Sequence, residues 1–238
     1  MARVNPQPAR LDLRIVVPDP PSSGARVEVR PLVDGVDILA GAFTEGPGED
    51  PDRLLTLDSP LVACATPVPV RLAEAVCTEG CCGALYVTIR RDGDEVIWGG
   101  WHNPDEAGPL LPDFSFDAAQ YQAEIVRAIG DRSWEWPAMT VARLLNAGLR
   151  EHRDWPEYYG CELGAVVAWP WEDGRVNAFL YEPSRSAIRD GLPWRQWQLV
   201  LAVDDEDPVA QARRLTERLL KQDPRALAQV CGGGSGLA

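Results

Sequence analysis

The sequence predicts an α+β fold, a mainly antiparallel β-sheet with helices packed on one face. Three observations carry it. Apolar and polar side chains alternate with period two near the start of the chain. Asp-Gly pairs sit between runs rich in β-branched and aromatic residues. Capped helical stripes follow from residue 117 onward.

Taken in order, Leu11, Leu13, Ile15 and Val17 alternate with Asp12, Arg14 and Val16, the pattern of a half-buried strand, and Val27, Val29 and Leu32 continue it. Asp34-Gly35 makes a turn into Val36-Asp-Ile-Leu-Ala, so a hairpin is expected there. Residues 44–52 read as a surface loop punctuated by Gly and Pro, with nothing that packs. Residues 68–76 read as a further strand. The clearest hairpin joins Leu85-Tyr-Val-Thr-Ile-Arg to Glu95-Val-Ile-Trp, with Asp92-Gly93 supplying the positive φ of a primed turn.

Helices come next. Asp117-Ala-Ala-Gln120 has the form of a capping box, and Tyr121, Ile125, Ala128 and Ile129 fall on one face behind it. Pro137 suits the first position of a second helix, striped by Val141, Leu144, Leu145 and Leu149. A second hairpin is expected around Asp173-Gly174, then a strand over 199–203 and a helix over 209–220. Pro224 opens a short last helix that Gly232 caps.

The two hairpins share a spacing. Gly83-Ala84 and Gly164-Ala165 are each followed by seven residues and then Asp-Gly, at Asp92-Gly93 and Asp173-Gly174. That raises an internal duplication of a hairpin-plus-helices unit, against coincidence in a turn type that is common. A strand-rich part over 1–110 and a mixed part over 111–231 are expected to share one core, and 232–238 reads as a flexible tail.

Composition narrows the partners. The net charge is −13, spread along both halves. Acidity without clustered Lys or Arg disfavours nucleic acid and anionic membrane surfaces and leaves a basic protein as the partner that charge would steer in. Residues 1–10 lack the apolar core of an export signal and no run is long enough to span a membrane, so a cytoplasmic location with reduced thiols is expected.

Two residue groups stand out. Cys77, Cys81, Cys82 and His102 have the ligand types of a soft-metal site; no cofactor is expected, with zinc or another soft metal as the alternative. In a strand, however, adjacent residues point to opposite faces, so Cys81 and Cys82 share an ion only if Gly80 and Gly83 distort the backbone. Small apolar thiols filling gaps at a strand start are the plainer reading, and redox switching of the vicinal pair a third. All nine tryptophans lie after residue 97. Trp98, Trp101, Trp169 and Trp171 are candidates for a partner or ligand surface, with Trp169-Pro-Trp171 placing two indoles on one side of a strand, while core packing is the alternative. Asp204-Asp-Glu-Asp207 reads as the acidic cap of the helix behind it. No nucleotide loop, zincin or serine-hydrolase motif is present in the sequence.

The stretches 77–96 and 131–145 resemble actinobacterial hypothetical proteins of unassigned function, a likeness that brings no activity or ligand with it. The arginine bias, with Lys221 the sole lysine, agrees with a GC-rich source. The sequence therefore favours a non-catalytic acidic interaction protein, immunity- or antitoxin-like or an accessory subunit of an assembly. The alternative is a soft-metal-binding or thiol-redox protein centred on Cys77, Cys81 and Cys82.

Overall fold

A computed structural model describes residues 8–19, 22–105 and 111–235. The fold is α+β, with antiparallel sheets, and the chain forms two compact units, Met1–Trp134 and Glu135–Ala238. The buried apolar side chains form two clusters, one per unit, in place of the single expected core. The boundary falls after Trp134 and not after residue 110, because Phe116, Tyr121, Ile125 and Ala128 pack into the first cluster.

In the first unit, β1 (Leu11–Val16), β2 (Glu28–Val33) and β3 (Val36–Asp37) form one sheet. Asp34 and Gly35 take φ of 50° and 79° between β2 and β3, as a primed turn requires. The strand expected beyond is cut short by a helix, α1 (Ile38–Ala42), because the Asp37 carboxylate accepts the N–H groups of Leu39 and Ala40 at 3.0 and 3.2 Å. A second short helix, α2 (Pro51–Leu54), is capped by Asp50.

Residues 44–52 are not a free surface loop. The Glu49 carbonyl accepts from Val29 N–H in β2, and Glu49 N–H donates to Leu72 in β4 (Val68–Glu74), both at 2.8 Å. This stretch lies between two strands, which buries Glu49.

After β4 comes α3 (Glu79–Cys82), then β5 (Ala84–Asp92), β6 (Glu95–His102) and β7 (Phe114–Asp117), which with β4 form a four-stranded meander. Asp92 pairs with Glu95, so the turn is Gly93-Asp94, one residue later than expected. Only Gly93 has positive φ (62°), the type II′ pattern. The helix α4 (Ala118–Gly130) follows β7 directly, with Asp117 as its N-cap. At the far side of the meander, Ala9 N–H donates to Ser115 at 2.7 Å. Backbone hydrogen bonds thus run round the unit, from residue 9 through β1, β2, Glu49 and β4 to β7 and back.

The second unit starts with α5 (Pro137–Glu151) and α6 (Asp154–Tyr158). Its four-stranded sheet contains β8 (Glu162–Val167), β9 (Arg175–Glu182), β10 (Trp194–Ala202) and β11 (Gln229–Gly234), with α7 (Arg185–Arg189) between β9 and β10. The helix α8 (Pro208–Leu219) packs against α5, which lies on β8 and β9. A 3-10 turn, Pro224–Leu227, leads into β11. Gly232, Gly233 and Gly234, assigned from sequence to a helix cap and flexible tail, instead pair with Gln196, Arg195 and Trp194. Residues 236–238 of that tail lie outside the described residues.

The repeated Gly-Ala spacing does not mark equivalent positions. Gly83 precedes β5, whereas Gly164 lies inside β8, and the β8–β9 connection runs over 168–174 in place of a tight turn.

Candidate metal centre

The Cys77, Cys81 and Cys82 sulfurs converge, all within 4.8 Å of one another. The backbone explains why. The β4–β5 ladder closes at Ala75 N–H to Gly83 C=O (3.1 Å), leaving residues 76–82 as a projecting loop. Inside it, the N–H groups of Cys81 and Cys82 donate to the Thr78 carbonyl at 3.1 and 3.2 Å, and Gly83 N–H to that of Glu79 at 2.9 Å, which makes one helical turn. Cys77 lies just before the extended Thr78 that opens this turn, and its sulfur meets those of Cys81 and Cys82 from outside the helix. The strand geometry that would have set Cys81 against Cys82 does not apply, and their sulfurs lie 3.7 Å apart.

Gly83 ends the turn with φ of 82°, and a Cβ there would meet Asn103 Oδ1 at 2.0 Å. That same oxygen accepts Ala84 N–H at 3.2 Å, so the return into β5 is pinned from β6's end.

A charged brace holds the turn from below. The Glu79 carboxylate accepts the Tyr86 hydroxyl at 2.9 Å and pairs with Arg71 at 3.1 Å. Arg71 also pairs with Glu49 at 2.5 Å and Glu74 at 3.1 Å. Sequence reasoning missed Arg71, Glu79 and Tyr86. The Thr78-Glu79 pair, a helix-start signal, was the clue.

Cys77 and Cys81 are exposed and Cys82 is half-buried. Hydrogen bonding with Cys82, then with the Thr78 backbone and Cys81, holds the Cys77 thiol below its ordinary value. The same contacts with Cys77 and Cys81 push Cys82 up to about 12. Cys77 thus becomes a thiolate, the form that acts as nucleophile or ligand, ahead of Cys82.

His102 does not join the sulfurs. It stands opposite Tyr86 in the β5–β6 register, so its ring stacks on Tyr86 (centroids 5.0 Å, 13° between planes), with Nδ1 3.4 Å from the Gly100 carbonyl. Its place in the expected ligand set is therefore withdrawn.

Two of the four candidate surface tryptophans are core. Trp98 is 0% exposed and donates to the Tyr121 hydroxyl at 3.1 Å. Trp101 is 6% exposed and donates to the Pro112 carbonyl at 3.0 Å. Their positions on β6 turn them inward, against Phe116 and Phe114. Trp169 and Trp171 lie in the β8–β9 loop and not on a strand. Their rings stack on each other, centroids 5.7 Å apart and 6° from parallel, and both are half-buried.

What the fold and site define is an α+β protein carrying a surface tri-cysteine turn. No family model matches the chain, nor does any curated protein or solved structure. Among the described residues, no helix is long and apolar enough to cross a membrane.

Proposed function

We propose that this chain binds a soft metal ion through Cys77, Cys81 and Cys82. The observation that carries the reading is the convergence of three sulfurs on one braced helical turn, two of them open to solvent. Thiolates are the ligands that soft ions prefer, and three convergent ones are a preorganised donor set. Titration of the reduced chain with Cd(II), followed by sulfur-to-cadmium charge-transfer absorption, tests it. One equivalent should saturate the wild type, and none should bind the Cys77→Ser/Cys81→Ser/Cys82→Ser variant. Identical titrations of the two chains would overturn the reading.

A second reading, docking of a basic partner, has its support in the stacked Trp169–Trp171 pair on an acidic chain. An arginine-rich peptide should shift the tryptophan emission at low salt, an effect that Trp169→Ala/Trp171→Ala should remove. A shift that survives in that variant would count against it.

A further inference from the structure

Resting on the metal-binding reading, we propose that the tri-cysteine turn takes monovalent copper as a three-coordinate, all-sulfur ion in preference to zinc. Donor number decides between them. Among the described residues, no His, Asp or Glu ligand atom joins the three sulfurs. A structural zinc site uses four protein ligands.

The neighbours that could supply a fourth ligand are committed elsewhere. The Glu79 carboxylate holds the Tyr86 hydroxyl and the Arg71 guanidinium, and Glu74 holds Arg71 and the Glu79 N–H. His102 lies flat on Tyr86. Recruiting either carboxylate would dismantle the brace that shapes the turn, and recruiting His102 would break its stack on Tyr86. An all-thiolate set suits Cu(I), which is soft and is satisfied by three sulfurs.

The exposure of Cys77 and Cys81 supplies the route in. Copper arrives as a complex with small-molecule thiolates. Each cysteine forms a Cu–S bond as one bond to the carrier breaks. The displaced carrier thiolate takes the proton that the cysteine gives up, and the copper stays monovalent throughout.

The test uses the full-length reduced chain under anaerobic conditions, with Cu(I) and Zn(II) each offered against a chromophoric chelator. One Cu(I) per chain should bind, with an X-ray absorption shell of three sulfurs and no nitrogen or oxygen. A tenfold excess of Zn(II) should displace none of it. Each single Cys→Ser change at 77, 81 or 82 should weaken copper binding about 100-fold or more, and His102→Ala should leave it unchanged. Far-UV circular dichroism confirms that the variants fold. Zinc displacing the copper, or a shell containing nitrogen or oxygen, would overturn the inference while the metal-binding reading stands. Failure of Cd(II), Cu(I) and Zn(II) alike would overturn both.

Discussion

Leu13 and Glu124, 111 positions apart in the chain, meet at the open edge of β1, where the buried Glu124 Oε1 accepts the Leu13 N–H at 2.6 Å. The contact belongs to a row. Gln120 takes both backbone groups of Leu11, and Arg127 donates to the Leu13 carbonyl at 2.7 Å while gripping Glu124. Residues 120, 124 and 127 share one face of α4, so a helix supplies with side chains what a neighbouring strand would supply with backbone.

Glu124→Ala should therefore destabilise the first unit by about 2–3 kcal/mol, since it strands a buried N–H and removes one of Arg127's carboxylate partners, leaving Asp131. Glu124→Gln, which keeps an acceptor, should cost less. Urea denaturation checks both, and equal, negligible losses would show that the row contributes nothing.

Tyr121→Phe removes one oxygen that serves two bonds. Its hydroxyl accepts from Trp98 Nε1 and donates to the Leu61 carbonyl at 2.6 Å, deep in the first core. Leaving both partners unsatisfied should cost about 1–3 kcal/mol, read as a lowered thermal midpoint. An unshifted midpoint would contradict it.

Glu79→Ala should leave the three cysteines in place but free their turn from Tyr86 and Arg71. The expected result is Cd(II) affinity lower by about 10- to 100-fold at unchanged stoichiometry. Unchanged affinity would mean the turn holds its shape without the brace.

Acid should erode both units at carboxylates that their neighbours hold low. The Ser133 hydroxyl holds Asp131 below its ordinary value, and the Arg225 guanidinium does the same for Asp223. A depressed folded value adds stability that is complete above the unfolded value, near pH 4, and is lost as pH falls through the folded one. Asp131→Asn and Asp223→Asn should lie below the wild type at neutral pH and converge with it below about pH 4. Parallel curves across that range would refute the assignment.

Local chemistry was legible where one residue type decides the backbone. Pro137 opens α5, Asp117 caps α4, and Asp207 caps α8 as the acidic run implied. The Gln120 half of the capping box was misread because its amide is drawn to Leu11, a partner no local pattern can reveal. The same holds for Glu49, whose two backbone bonds go to strands on either side of it in sequence. The β-rich residues that follow the cysteines imply a strand start there, but the Thr78 carbonyl collects two N–H groups first and winds the turn. Trp98 and Trp101, three apart, would face opposite sides of a regular strand; a bulge in β6, with Gly100 at φ of 58°, turns both inward, and no local pattern announces it.

The α4 row also sets an order of events in time. Strand β1 is made early, yet the groups that satisfy Leu11 and Leu13 lie 109 to 114 residues downstream. A growing chain that has not yet reached Arg127 carries β1 with a bare edge. The meander and α4, whose contacts are close in sequence, can form ahead of it. Strand β1 therefore gains these edge partners only once α4 has been made.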